Sequence, residues 1–265
     1  MAYLWYVLAT LRISFPSFLH YVTMGILKNR ALRKRFVFMV LRKIVKKLFS
    51  KELKHDKKHW VDEFNTWKNK KDRESSSGIG SSMQITKVLR EELIRFISEN
   101  DIQSMADIPC GDFNWMQHVV SAKLDYTGFD IVDNMIARNQ ELFESKNIHF
   151  YSLDLFNQSL EGNYDVIFSR DFFVHFMPEE IIKLLKHMSS ANVKYFMSTT
   201  YPETQENNCL KRAWFPYNLQ LAPFNFPEPI LTIDEKLTEK EGGYYRKKCV
   251  GVWDFDFVKK DKKAR

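Results

Sequence analysis

The stretch "MADIPCGDFNWMQHV", residues 105–119, decides how this chain folds. It begins as a short apolar strand, passes through a sharp turn and continues as the start of a helix. Such strand–turn–helix units commonly carry nucleotide-type ligands. A dinucleotide turn needs three glycines as G-x-G-x-x-G, but here Gly111 stands alone, with Pro109 in the first glycine position and Phe113 behind it. The stretch therefore predicts either a cofactor loop of another kind or an ordinary turn.

Strand-like and helix-like segments alternate from residue 83 onward. A strand–helix alternation of this length predicts right-handed crossovers and a parallel sheet covered on both faces. Two further strand patterns near the C-terminus, separated by "EKEGG", predict a closing antiparallel hairpin. The predicted fold is an α/β three-layer α/β/α sandwich with a mostly parallel seven-stranded sheet. Its strand segments are "QSMADI", "LDYTGFDI", "NIHFYSLDL", "YDVIFSRD", "VKYFMSTTY", "PEPILTID" and "YYRKKCVGVWDFDF"; its helix segments are "MQITKVLREELIRFISEN", "NWMQHVVSA", "VDNMIARNQELFESK" and "PEEIIKLLKHMSS".

Charge is distributed unevenly along the 265 residues, whose formal net charge is +7. Residues 1–58 contain 14 Lys and Arg against 2 Asp and Glu, a net of +12, so the rest of the chain is net −5. A basic nucleic-acid-binding surface is not expected on an acidic domain, and no nucleic-acid partner is predicted. The three cysteines are widely spaced without a C-x-x-C pair, which argues for a reducing compartment and against a disulfide framework or a metal site.

Residues 1–58 form a basic, apolar appendage that is predicted to be helical. The first 27 residues are mostly apolar but contain Arg12, Pro16 and His20, and the next stretch has the pattern of a basic amphipathic helix. That pattern is typical of a helix on an anionic membrane surface. The alternatives are a membrane span, whose flanking charges would keep the domain cytoplasmic, and a helix packed on the domain or a partner. The expected location is cytoplasmic, or the cytoplasmic face of a membrane.

The remaining boundaries follow from composition. Residues 59–82 are predicted to be a linker and a covering loop, in which Trp60, Phe64 and Trp67 have a helical spacing suited to packing on the domain. Residues 83–258 are the predicted catalytic-type domain, and residues 259–265 are a basic tail.

Ligands of such a sheet bind beyond the carboxyl ends of the strands, so the last residue of each strand is a candidate. Three successive predicted strands end in Asp107, Asp130 and Asp154, and the fourth ends in Arg170 and Asp171. A carboxylate such as Asp130, 19 residues after Gly111, could accept hydrogen bonds from ribose hydroxyls, or it could cap a turn.

The chain resembles the class I S-adenosylmethionine-dependent methyltransferases over roughly residues 75–258. The resemblance is carried by "ADIPCGDFNW", "YTGFDI", "FYSLDLF", "YDVIFSRDFFVHF" and the terminal hairpin. It is nearest to a bacterial-type group linked to glycan assembly, which has patterns similar to "SSGIGSS", "DIPCGDFNWM", "SRDFFVHF" and "NLQLAPFNFPEP".

The resemblance implies S-adenosyl-L-methionine as cofactor and assigns the strand ends to it. Gly111 would let the backbone approach the methionine part, and Asp107 would orient the loop or contact the amino group. Asp130 would bind the ribose, Asp154 the adenine amino group, and the Leu155 amide the adenine ring. The cofactor set that the resemblance implies is Asp107, Cys110, Gly111, Asp130, Ile131, Asp154, Leu155 and Arg170.

Asp171 and His175 are the predicted catalytic residues, because they follow the fourth strand where an acceptor would approach. Four residues apart, they could share a helical face, one acting as general base and the other orienting it. The alternatives are a packed histidine and an aspartate that caps a helix or holds Arg170, which itself could serve an acidic acceptor.

Two flanking segments are candidates for covering the site. "ESSSGIGSS", residues 74–82, is either a linker or a loop over the cofactor or acceptor. Residues 201–227, with Asn207 and Asn218, suit an acceptor lid. Their aromatic residues could stack on a sugar or form plain core; they are Trp214, Phe215, Tyr217, Phe224 and Phe226.

The predicted function is methyl transfer from S-adenosylmethionine to a hydroxyl, on a sugar of a glycan or lipid-linked glycan. A small-molecule or lipid acceptor is the alternative within the same chemistry. A membrane-recruited scaffold that keeps the fold without turnover is the non-catalytic alternative. A nicotinamide-dependent oxidoreductase is disfavoured by the missing glycines.

Overall fold

The computed structural model describes residues 57–68, 74–209, 214–237 and 247–256, which belong to one compact unit, His55–Cys209 with Ala213–Arg265. Predicted features elsewhere, including residues 1–56, lie outside the described residues. The elements within the described ranges are the strands β1 Ser104–Asp107, β2 Asp125–Asp130, β3 Ile148–Ser152, β4 Asn163–Ser169, β5 Asn192–Thr200, β6 Leu231–Asp234 and β7 Cys249–Asp254, and the helices α1 Lys57–Lys68, α2 Lys87–Glu99, α3 Asp133–Phe143 and α4 Pro178–Met188. Three short 3-10 turns accompany them, Ile79–Ser81, Met116–His118 and Phe173–His175.

The seven strands form one mixed sheet in the order β3-β2-β1-β4-β5-β7-β6. The first five strands are parallel, and β7 runs antiparallel between β5 and β6. The predicted fold class is thereby confirmed. Because the chain moves from β1 to β2 on one side and returns to β4 on the other, the strand order switches between β1 and β4. A crevice opens at such a switch point, beyond the carboxyl ends of the strands.

Alternate residues of the central strands face opposite sides of the sheet, as the two-residue period of a strand requires. Ala106 and Ile167 join the apolar cluster that contains the buried residues of α4. Met105 and Val166, their immediate neighbours, join the cluster that contains the buried residues of α2. Helices thus cover both faces, and the strands are apolar on both sides because neither side meets water.

The prediction of a helix in "NWMQHVVSA", after β1, is wrong, because the segment forms only the 3-10 turn Met116–His118. The turn is held by tertiary contacts, since Trp115, Met116 and Val119 are all buried in the core. Phe113, directly before the predicted segment, has a left-handed φ of 58°. Its ring is buried in the core, with ring centroids 4.9 Å from Tyr126 and 5.1 Å from Phe150. An apolar side chain that reaches the core in this way fixes the turn.

Helix α1 lies against the domain through Trp60, whose partly buried side chain packs on the core, as predicted. Lys57 forms an ion pair with Asp133 at the start of α3. The side chains of Phe64 and Trp67 fall outside the described residues. Among the helices that the structure describes, none is long and apolar enough to cross a membrane.

Candidate functional site

A cavity of about 490 Å³ occupies the crevice at the carboxyl ends of β1 and β4. Its walls include residues 107–111 after β1 and residues 129–132 at the end of β2. Residues 76–81 form a further wall. The cavity brings together most of the residues that the sequence predicted for the site, namely Asp107, Cys110, Gly111, Asp130, Ile131, Leu155, Arg170, Asp171 and His175.

Asp107 is a buried carboxyl group at the end of β1, where the sheet pairing with β2 and β4 fixes it. Its Oδ2 accepts a hydrogen bond of 2.7 Å from the hydroxyl of Tyr126. Burial, with a smaller contribution from the charge of Asp130, raises the pKa of Asp107 to about 8, against the lowering effects of the Tyr126 hydrogen bond and of Arg170. A carboxyl group with this pKa can ionise when a cation arrives beside it.

Asp130 ends β2 with its carboxylate held between two backbone amides. Oδ1 accepts the N–H of Val132 at 3.0 Å, and Oδ2 accepts the N–H of Gly111 at 3.2 Å. Burial raises the pKa of Asp130 to about 6, and these amide hydrogen bonds limit the rise. A carboxylate can accept about four hydrogen bonds, so Asp130 keeps acceptor capacity for a ligand beyond these backbone amides and that of Ile131.

Gly111 adopts a φ of +57°, which glycine accepts without cost. A Cβ at this position would lie 2.4 Å from the Oγ of Ser77, so the turn and residues 76–81 approach too closely for any side chain. The carbonyl of Gly111 accepts a 2.8 Å hydrogen bond from the Nδ2 of Asn139 on α3. The single glycine of the turn is therefore required by both its conformation and its neighbour.

Cys110 and Ile131 flank these two groups. The N–H of Cys110 donates to the carbonyl of Phe129 at 2.8 Å, which ties the glycine turn to β2. Burial raises the pKa of the Cys110 thiol well above its usual value, so this cysteine is a neutral wall residue. Ile131 packs with Trp60 on the small apolar cluster at the start of α3.

Asp154 is placed differently from the other predicted site residues. Oδ1 accepts the N–H of Phe156 at 3.0 Å and Oδ2 accepts the Nδ2 of Asn157 at 2.7 Å, so the carboxylate caps its own turn. The cavity wall at this point is formed by Leu155 and Phe156 instead. Strand β3 ends at Ser152, two residues before the predicted end. The adenine-binding role of Asp154 stays a prediction that would require this turn to rearrange.

Residues 74–82, here called the strap, lie over the cavity next to the glycine turn. Asp112 fastens the strap, because its carboxylate accepts hydrogen bonds from the hydroxyls of Ser75, Ser76 and Ser77 at 3.0–3.2 Å. The Ser76 N–H adds a bond of 2.6 Å, and the Asp112 N–H donates in return to Ser77 at 2.8 Å. The strap is thus bound through its serine side chains, which a simple linker would leave in water.

A cluster of four charged residues closes the other end of the cavity. Arg170 donates to both carboxylate oxygens of Glu235, from Nε at 3.1 Å and from Nη2 at 2.7 Å. Lys248 donates to Asp171 at 2.7 Å, and its Nζ lies 3.4 Å from Glu235. The formal charges of this cluster cancel. Glu235 directly follows β6 and Lys248 directly precedes β7, so both lie at the same end of the terminal hairpin. Sequence reasoning missed them because nothing local marks either residue.

Asp171 and His175 both line the cavity, but they do not share a helical face. Asp171 has a left-handed φ of 53°, and the following residues form the 3-10 turn Phe173–His175. Burial alone would raise the pKa of Asp171, yet the cations of Lys248 and Arg170 hold it well below its usual range. The ring of His175 packs edge-on against Trp60, with centroids 5.4 Å apart.

The described part of residues 201–227 contributes both to the core and to the cavity wall. Tyr217, Phe224 and Phe226 are buried in the core, and Phe215 packs on it. Trp214 lines the cavity, with its ring 5.5 Å from that of Tyr201. The candidate lid residues Asn207 and Asn218 instead brace the loop, since the Asn218 N–H donates to the side chain of Asn207 at 3.0 Å.

Comparison with solved structures finds similar chains of low identity. Magnesium protoporphyrin IX methyltransferase from Synechocystis PCC 6803 with bound SAM is 18% identical, over 59% of this chain and 82% of that chain, with a TM-score of 0.45. Human N-acetylserotonin methyltransferase in complex with SAM is 10% identical, over 66% and 54%, with a TM-score of 0.49. TehB from Haemophilus influenzae is 19% identical, over 62% and 61%, with a TM-score of 0.45. The strand order carries the fold assignment without them.

Comparison at the level of sequence gives one positive result. No curated protein matches this chain significantly. Residues 105–192, about a third of the chain, match a family model described as a methyltransferase domain. The matched segment runs from β1 to the start of β5, and so contains the glycine turn, Asp130 and the predicted catalytic residues.

Proposed function

We propose that this protein is an S-adenosylmethionine-dependent methyltransferase that transfers a methyl group to a hydroxyl, on a sugar of a glycan or lipid-linked glycan. The observation that carries the proposal is the carboxylate of Asp130. It is buried in the cavity wall and fixed by the amides of Gly111 and Val132, with acceptor positions left over. An adenosine ribose presents two adjacent hydroxyl donors, which suits such a group.

The other cofactor contacts are proposed from the same wall. Asp107, at the end of β1, would face the methionine ammonium, whose charge would favour the ionised carboxylate against its raised pKa. Ile131 and Leu155 line the cavity and offer apolar surface for the adenine ring, to which the Leu155 amide would donate. The strap would cover the methionine part, because Ser77 lies against Gly111.

His175 is the better candidate for the general base. In the proposed step the acceptor oxygen attacks the sulfonium methyl carbon, the O–CH₃ bond forms as the S–CH₃ bond breaks, and S-adenosylhomocysteine leaves as a neutral thioether. The hydroxyl proton passes to His175. Asp171 is a weak proton acceptor, since Lys248 and Arg170 hold its pKa well below the usual range. Its proposed role is to orient the acceptor side.

The acceptor side favours a neutral, ring-shaped group. Aromatic rings of Trp60, Tyr201 and Trp214 line this part of the cavity and offer surfaces on which a sugar could stack. The cations of Arg170 and Lys248 are already paired with carboxylates, so neither favours an anionic acceptor. A small-molecule or lipid acceptor with a hydroxyl on a ring is the alternative.

Membrane association through residues 1–58 is a separate part of the proposal, supported by the basic amphipathic pattern of the sequence. An acceptor made at the cytoplasmic face of a membrane would then be within reach. Fractionation of the full chain beside a chain lacking residues 1–50 tests it. Equal partition of both chains into the soluble fraction would refute it.

The decisive experiment uses S-adenosylmethionine labelled in the methyl group, with the full chain and a panel of glycan, lipid-linked glycan and small-molecule acceptors. Label transferred to a sugar hydroxyl supports the proposal, and label on another acceptor redirects it to the alternative. Binding of S-adenosylhomocysteine by calorimetry is measured in parallel. A folded protein that binds neither S-adenosylmethionine nor its product supports the scaffold alternative.

A further inference from the structure

Arg170 contacts two parts of the site that are far apart in sequence. Its Nη1 donates to the carbonyl of Gly80, in the strap, at 2.9 Å. Its Nε and Nη2 donate to Glu235, which follows β6. The side chain is almost fully buried, and its guanidinium also lies over the ring of Trp115, 5.6 Å from the centroid.

The strap also touches the acceptor side directly at this point. A Cβ placed on Gly80 would lie 3.2 Å from Oδ2 of Asp171, so the strap backbone passes close to that carboxylate. The same Oδ2 lies 3.2 Å from Nη1 of Arg170 and 2.7 Å from Nζ of Lys248. One nitrogen of Arg170 therefore serves both the strap and Asp171.

This geometry makes the strap and the hairpin interdependent. A guanidinium is planar and presents its donors in a fixed fork, so Arg170 cannot turn toward the strap without changing its contacts with Glu235. In a buried position, any donor or carboxylate that loses its partner is costly. Displacement of the strap from Gly80 should therefore disturb Glu235, and through it Lys248 and Asp171.

We propose that Arg170 is a positioning residue that couples closure of the strap over the cofactor to the arrangement of Asp171 and Lys248 on the acceptor side. The cofactor would then assemble the acceptor side before the acceptor arrives. This inference rests on the proposed function, because it takes the cofactor to bind beneath the strap. Arg170 would act through Gly80 and Glu235, and this role does not depend on the direct cofactor contact that the resemblance implies for it.

Hydrogen exchange of the full chain, with and without S-adenosylhomocysteine, tests the coupling. In the wild-type protein the ligand should slow exchange in peptides covering residues 74–82 and also in peptides covering residues 231–237 and 247–252. In Glu235→Gln the strap should still be protected, but protection of the hairpin peptides should fall toward the level of the unliganded protein. Because coupling is reciprocal, the Kd for the ligand should rise roughly fivefold or more.

Two further variants separate coupling from a structural effect. Arg170→Met combined with Glu235→Gln removes the link without leaving a buried charge unpaired, and should lose hairpin protection in the same way. Glu92→Gln changes a carboxylate paired with Arg95 on the exposed side of α2 and should behave as wild type.

The outcomes distinguish the two proposals. If the wild-type protein does not bind S-adenosylhomocysteine, the proposed function fails. If it binds and the strap is protected while the hairpin is unaffected, or if the hairpin is equally protected in the Glu235→Gln and double variants, the coupling through Arg170 is refuted and the cofactor site stands.

Discussion

Replacement of Asp130 by asparagine tests the cofactor site most directly. The carboxylate offers acceptor capacity beyond that taken by the neighbouring backbone amides. A hydrogen bond to a charged group contributes about 1.5–3 kcal/mol. Asparagine keeps one oxygen acceptor at this position. Its side-chain NH₂ group would face a backbone N–H of Gly111 or Val132, and two donors cannot bond to each other. We therefore expect the binding free energy of the ligand to weaken by about 2–3 kcal/mol, since one ribose contact is partly kept. This loss corresponds to roughly a 30- to 150-fold rise in Kd.

The assay is calorimetric titration of S-adenosylhomocysteine into the full chain, with the fold of each variant checked by circular dichroism. Asp125→Asn is the matched control, because Asp125 opens the same strand, carries the same charge and is exposed. Its Kd should equal that of the wild-type protein.

The pH dependence provides an independent check on the same carboxylate. Since burial raises the pKa of Asp130 to about 6, protonation below that pH removes the charge that the ribose contacts use. The affinity of the wild-type protein for S-adenosylhomocysteine should fall as the pH decreases through about 6. The Asp130→Asn variant should lack this pH dependence. A folded Asp130→Asn variant whose Kd stays within about threefold of wild type would refute the ribose assignment.

Three other outcomes follow from the site. His175→Gln should slow methyl transfer by about 100-fold in single-turnover assays, while the Kd for S-adenosylhomocysteine stays unchanged. His118→Gln, at an exposed histidine, is the control. An unchanged rate in His175→Gln would remove His175 as the base. Asp107 has a raised pKa in the folded state, so its contribution to stability is present below its ordinary value and is lost as the pH rises toward about 8. Asp107→Asn should therefore gain a few kcal/mol of unfolding free energy relative to wild type at about pH 8.5 and little at about pH 4.5, as urea titrations would show; an equal gain at both would contradict the raised pKa. Gly111→Ala should lower the free energy of unfolding by about 1–3 kcal/mol. Adding Ser77→Gly should restore part of this stability, because it removes the side chain that the new Cβ would meet. Full stability of Gly111→Ala in a urea titration would contradict the close approach.

The central sheet and its ligand edge could be predicted because the signals are local. Strands that alternate with helices imply parallel order, and parallel order brings strand ends together at one edge. Asp107 and Asp130 could be identified as candidates from this rule alone. The same rule also selected Asp154, whose adenine-binding role stays a prediction. The carboxylate of Asp154 caps its own turn, and no period or spacing distinguishes a capping aspartate from a ligand-facing one.

The failed helix after β1 shows how tertiary contacts override a local pattern. The segment has apolar residues at helical positions, but it forms only a 3-10 turn whose apolar side chains are buried in the core. The turn follows Phe113, which has a left-handed φ and packs among the rings of Tyr126, Phe143 and Phe150. The pocket for that ring is built from α3, β2 and β3. A prediction from residues 105–119 alone could not include these contacts.

The charged cluster of Arg170, Asp171, Glu235 and Lys248 could not be predicted from the sequence for a different reason. Arg170 and Asp171 lie within a recognisable motif, but their partners Glu235 and Lys248 are 65 and 77 residues away, and the hairpin brings them to the site. The antiparallel pairing of β6 and β7 puts residues 234 and 249 opposite each other, so Glu235 and Lys248 emerge side by side beyond the strand ends. Buried carboxylates and cations require partners. Arg170 and Asp171 already partner each other at 3.2 Å, so the motif gives no signal that a second pair completes the cluster, and only the folded chain identifies Glu235 and Lys248.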